Sequence, residues 1–167
     1  MQFLTATSLL YIRVVFLLTI AFFLVRDPEK VGGAGFVVLL GQAMQVPIGF
    51  IKAGDPLLGI LAVVFSSLAI GDVIPLLANN IDYFETVVPT RLAFFFGLAA
   101  YAYLINDSVL SNALIITYSF LEIWFNFLIF NNLRDEKYYR MKTFIEENAE
   151  AIQRAQDEQV RVVELDQ

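Results

Sequence analysis

Ser119–Asn132, SFLEIWFNFLIFNN, decides how this chain is read. It is almost wholly apolar and aromatic, yet it carries one carboxylate, Glu122. Extended in the N-terminal direction it becomes the block 109–130, VLSNALIITYSFLEIWFNFLIF. That block is long enough to cross a bilayer as a helix, which takes about 20 apolar residues. An acid inside such a helix costs about 2.5–3.5 kcal/mol on insertion scales. Glu122 therefore calls for a partner elsewhere in the chain.

Four further apolar blocks precede it. Segments 8–25, 36–51, 57–78 and 88–105 are separated by RDPEKVGGAG, by KAGDP and by the aromatic stretch NNIDYFETVVPT. The last of these reads as interfacial, with Tyr83 and Phe84 suited to the headgroup level. Segment 36–51 is the weak member. It is short, and Gln42, Gln45 and Pro47 interrupt it, so it either crosses with a kink at Pro47 or dips in and returns. The bulk numbers agree with a membrane body. Hydrophobic residues make up 58% of the 167 and charged residues 17%, against about 25% in soluble domains. The predicted fold is all-α: an integral membrane helical bundle with four to five hydrophobic segments over residues 1–131, then a charged helical tail over 132–167.

The tail holds six Lys/Arg and nine Asp/Glu, more charge than the 131 residues before it. Met141, Phe144, Ile145, Ala149, Ile152 and Ala155 form an amphipathic stripe at helical spacing. Glu136–Arg140 and Glu150–Arg154 are favourable i,i+4 pairs, while the final RVVELDQ reads as a frayed end. The basic cluster Arg134, Lys137, Arg140 and Lys142 follows the last span, which places the C-terminus in the cytosol. Counted as five spans, Arg26, Lys30 and Arg91 also fall on the cytosolic side and the N-terminus faces the lumen. Counted as four, Arg26, Lys30 and Lys52 fall opposite. Charge counting favours five. Asn106-Asp107-Ser108 has the form of a glycosylation sequon but reads as a polar turn.

Arg13, Asp72, Arg91 and Glu122 lie in or beside apolar blocks, two of each sign. Helical rise places all four in the cytosolic half of the five-span arrangement. They are predicted to form one intramembrane network, with Arg13–Glu122 and Asp72–Arg91 as pairs, because a guanidinium holds a carboxylate at two points. Asn126 lies one turn after Glu122 and Trp124 beside it; Pro75 and Pro89 flank the other two charges. Such a network either neutralises itself and fixes helix register, or lines a hydrated path for an ion or a lipid headgroup.

The chain has no Cys and no His. Thiolate nucleophiles, imidazole bases and Cys/His zinc sites are thereby excluded. No acidic cluster with metal-ligand spacing occurs in the apolar blocks, so neither cofactor nor metal is expected, and no basic surface suits nucleic acid. The stretches YIRVVFLLTIAFF, GQAMQVP, GDVIPLLANNIDYFETVVPTRLAFFF and FLEIWFNFLIFNNLRDEK resemble the fungal Ilm (increased loss of mitochondrial DNA) family. The similarity covers about Tyr11–Lys137. Its most specific parts are Asp72-x-x-Pro75 leading to Pro89-x-Arg91, and Glu122-x-Trp124-x-Asn126. The resemblance implies an endoplasmic reticulum membrane protein linked genetically to mitochondrial genome maintenance, with no catalytic residues to carry over. The expected function is non-enzymatic: an accessory or scaffold subunit of a larger, lipid-handling membrane complex, in contact with membrane lipids. A counter-ion path through the four charges ranks second. A lipid-binding pocket or membrane enzyme ranks third.

Overall fold

A computed structural model describes residues 5–49, 51–105 and 107–149. The chain divides into two compact units, Met1–Asn131 and Asn132–Gln167. Among the described residues there is no strand, and four helices are long and apolar enough to cross a membrane.

Helix α1, Ala6–Arg26, starts at Thr5, whose hydroxyl accepts the Ser8 amide. Its buried residues Leu10, Arg13, Leu17, Ala21 and Leu24 recur every three to four positions, one face of a 3.6-residue helix. Helix α4, Pro56–Leu77, packs along α1. The clusters Val14/Leu17/Ala69 and Ala21/Leu24/Ala62 show that the two run antiparallel. Ala62 and Ala69 are small, which lets the backbones approach closely without apolar solvent driving them together.

Between them, residues 36–51 depart from a span. Pro28–Gly32 forms the short helix α2, and α3 covers only Gly35–Ala43. Nine residues rise about 13 Å, under half of the ~30 Å hydrocarbon core. The helix stops in a Schellman motif. Gln45 turns left-handed (φ 55°), its amide reaches the Gln42 carbonyl, and the Val46 amide reaches the Gly41 carbonyl. The stop thus comes two residues before Pro47. The following loop is held by protein: Val37 and Val46 pack on Ala102, Ala113 and Ile116, and the Pro47 carbonyl accepts the Ala113 amide. Non-helical backbone at membrane depth survives only in such company. The balance of the charge count toward five spans therefore gives way to four long helices.

Helix α5, Ile81–Leu104, begins seven residues earlier than its apolar block. Asn80 caps it by accepting the Tyr83 amide, so most of NNIDYFETVVPT is helical rather than an irregular interfacial stretch. The α4–α5 turn uses a second Schellman motif, with Asn79 left-handed (φ 51°) and the Asn80 amide on the Pro75 carbonyl. Helix α6, Ala113–Glu147, is capped by Asn112 through the Ile115 amide. Its residues to Asn131 belong to the first unit. There Ile116, Ser119, Glu122, Asn126 and Ile129 are buried, again at three-to-four spacing. In the second unit Met141, Phe144 and Ile145 are exposed, and Lys142 approaches Glu146 one turn on. Ile152, Ala155, the Glu150–Arg154 pair, RVVELDQ and Asn106 lie outside the described residues.

Candidate functional site: a buried charge layer

Each long helix contributes one charged residue to a single layer. Arg13 comes from α1, Asp72 from α4, Arg91 from α5 and Glu122 from α6. All four lie on the inward stripe of their helix. Counted from the end of the first unit where α1 starts and α4 finishes, they sit about 8–15 Å along their helices. Arg13 is counted from Ala6, because α1 runs opposite to α4. Antiparallel packing aligns the depths.

The layer is a chain of contacts rather than two separate pairs. Arg13 grips Glu122 with two donors, Nε to Oε2 at 3.0 Å and Nη2 to Oε1 at 2.9 Å. Its remaining terminal nitrogen, Nη1, donates to Asp72 Oδ2. Arg91 grips the same Asp72 with Nη1 to Oδ2 at 3.0 Å and Nη2 to Oδ1 at 2.6 Å. Arg13 is thus the bridge, and the order is Arg91–Asp72–Arg13–Glu122. Arg13, Asp72 and Glu122 are at most 2% exposed, and Arg91 is 20% exposed.

Glu122 is saturated. Tyr118 Oη donates to Oε1 at 2.9 Å and Asn126 Nδ2 to Oε2 at 2.9 Å. With the two arginine bonds this fills the roughly four acceptor sites of a carboxylate. Asn126 Nδ2 also reaches the Glu122 backbone carbonyl at 2.7 Å. Tyr118 is the participant that sequence reading missed. Its signal was available: it stands one turn before Glu122, as Asn126 stands one turn after. Edge contacts with Phe65 and Phe95 fix its ring.

The other candidates fall outside the layer. Trp124 is 53% exposed and rests on Phe125, turned away from Glu122. Two positions along a helix is about 200° around it. Pro75 sits in the last turn of α4, where its carbonyl accepts the Asn80 amide, and Pro89 sits inside α5 two residues before Arg91. Neither ring has a polar group to offer the charges. Among the described residues no group of three or more acidic side chains gathers as a metal site would need. Among the described residues four buried polar atoms have no partner: the hydroxyls of Ser111, Thr117 and Ser119, and Asn126 Oδ1.

Chemically, the layer is a neutral salt bridge of four groups. Its carboxylates are already engaged by arginines, which suits cohesion better than proton transfer or metal binding.

The sequence model of the family described as Increased loss of mitochondrial DNA protein 1 matches residues 4–143. The chain is 38% identical over 137 residues to Protein ILM1 of Saccharomyces cerevisiae, covering 81% of this chain and 68% of that one. It is 30% identical over 112 residues to Protein ilm1 of Schizosaccharomyces pombe, covering 66% of this chain and 70% of that one. No solved structure matches it.

Proposed function

The chain belongs to the Increased loss of mitochondrial DNA protein 1 family, and on that premise we propose that it is a non-enzymatic membrane scaffold. It serves as an accessory subunit of a larger, lipid-handling complex in the endoplasmic reticulum membrane. Its link to mitochondrial genome maintenance is then indirect, through the organisation of that membrane. The observation that carries the reading is the saturated charge layer. One charge from each long helix, closed on itself to net zero, locks four apolar helices into one register and leaves Glu122 no free acceptor.

The second unit supplies the docking element. Met141, Phe144 and Ile145 lie on one side of its helix and are exposed. An apolar stripe at this spacing is the anchor pattern of a helix laid in a partner groove. The basic residues after Asn131 support a cytosolic position for this unit. With four crossings, the first residue of α1 shares that side.

Purification in mild detergent tests the reading. A stoichiometric partner is expected, and Met141→Ser, Phe144→Ser, Ile145→Ser together release it. Recovery of the unaltered chain as a clean monomer or homo-oligomer would count against a scaffold role. The counter-ion path remains the second reading, since it uses the same four residues. Ion flux in reconstituted vesicles that disappears in Glu122→Gln would replace the first reading with it.

A further inference from the structure

The first unit contains a cavity of about 870 Å³ that the charge layer does not fill. It lies on the α2–α3 side of that layer. Its walls are apolar: Ile20 and Phe23 of α1, Leu61 of α4, Leu98 of α5, Leu114 of α6 and Val31 of α2. This volume falls in the range of about 300–1,000 Å³ typical of built ligand sites. Along α1 it reaches from Leu24 to Arg13, eleven residues or about 16 Å. Half of a ~30 Å hydrocarbon core is about 15 Å. The cavity is therefore as deep as one leaflet.

Its charged lining has one sign. Arg13 and Arg91 form the floor, and Lys30 stands at the opposite end; among the described residues no Asp or Glu lines it. The two arginines are not free cations, because Asp72 and Glu122 behind them are gripped at two points each. Lys30 differs. Its side chain is 70% exposed and pairs with Asp27 at 2.8 Å, which occupies one of three ammonium donors. Arg26 and Lys52 are exposed at the same end.

We propose that this cavity holds one acyl tail of a glycerophospholipid, with the lipid phosphate on Lys30. The cavity is open along one side, with the apolar side chains of Phe36, Leu61 and Phe94 exposed there, and in a bilayer the nearest filling that restores dispersion contacts to such walls is hydrocarbon. A tail entering from the α2–α3 side ends against a neutralised floor. A polar head pushed to that floor would find its arginines already engaged. The head therefore stays at the Lys30 end, where an ammonium with spare donors meets a phosphate as a point charge. This needs no protein partner, so a cavity-bound lipid on a partnerless chain would keep this proposal and remove the scaffold reading.

The test is native mass spectrometry of the full chain, delipidated in detergent and then titrated with dioleoyl phosphatidylcholine, dioleoyl phosphatidylglycerol or dioleoylglycerol. One phospholipid per chain is expected with either headgroup. Dioleoylglycerol, which lacks the phosphate, binds about tenfold more weakly, and Lys30→Gln lowers the two phospholipids to that level. Leu98→Trp or Leu61→Trp fills the cavity and removes the adduct, whereas Val63→Trp, on an outward face of α4, leaves it. Circular dichroism establishes that each variant keeps its helix content. Equal affinity for dioleoylglycerol and phospholipid, read on the unaltered chain, overturns the phosphate contact. A folded cavity-filling variant that binds as before overturns the cavity as the site.

Discussion

Remove Glu122 and the consequence can be worked from the contacts. In Glu122→Leu, Arg13 keeps only Asp72, which Arg91 already holds with two bonds. Three groups then share a net charge of +1 inside the membrane. Removing one partner of a buried pair costs about 3–5 kcal/mol. Tyr118 Oη loses its acceptor, adding about 1–3 kcal/mol, while Asn126 keeps the backbone carbonyl of residue 122. Arg13→Leu is comparable, because Glu122 is left with only Tyr118 and Asn126. The double variant behaves differently. It deletes one charge of each sign and leaves Arg91–Asp72 intact and neutral. Replacing a buried pair by apolar groups is often close to neutral, so the double variant should cost about 1–3 kcal/mol, chiefly for the stranded tyrosine and altered packing. Its cost should lie at least about 3 kcal/mol below the sum of the singles, a coupling at the upper end of that seen for residues in contact. Reversible unfolding in mixed micelles, followed by helical circular dichroism, measures this. Additivity within about 0.5 kcal/mol would show that the two side chains do not neutralise each other. Exchanging the two charges is a poorer test, since Glu at position 13 would face Asp72.

Three further outcomes follow from the backbone and the packing. Gln45→Gly should stabilise the first unit by about 1 kcal/mol, because a left-handed residue with a Cβ costs about 1–2 kcal/mol there; equal unfolding midpoints would refute the strain. Gly41→Ala should destabilise by about 1–3 kcal/mol, as its new methyl would sit 2.6 Å from the Ala113 Cβ. Adding Ala113→Gly should recover most of the loss, and no recovery would place the clash elsewhere. Ser119→Ala should be neutral or stabilising by up to about 1 kcal/mol, since that hydroxyl is fully buried without a partner; a clear loss of stability would mean that a hydrogen bond exists there.

Apolar length alone was enough to locate α1, α4 and the spanning part of α6, because a helix that crosses lipid must be apolar throughout its depth. The same logic exposed Arg13, Asp72, Arg91 and Glu122, whose charges have no other reason to be there. It left the second block open between crossing and returning, because a helix end is decided by backbone groups. A left-handed Gln45 stops α3, and a glutamine does not announce that role as a glycine would. The start of α5 was hidden for the opposite reason: Asn80 is an ordinary cap, but the polar residues after it resembled a loop. The inward stripes carry information that composition does not. Placed on three-to-four spacing, Tyr118 falls beside Glu122 and Trp124 falls away from it. The bridging of Asp72 by both arginines needed the antiparallel sense of α1 and α4, which no local pattern contains.

The order in which the charges occur along the chain bears on how the protein is made. Read from the N-terminus, the four long helices bring +1, −1, +1 and −1 to the buried layer, through Arg13, Asp72, Arg91 and Glu122. A nascent chain that has delivered α1 and α4 carries a balanced sum, and so does one that has delivered all four. A chain halted after Leu104 holds Arg91 and Arg13 against a single aspartate. Each consecutive pair of long helices therefore adds zero net charge to the layer, and without α6 the two arginines share the single carboxylate of Asp72.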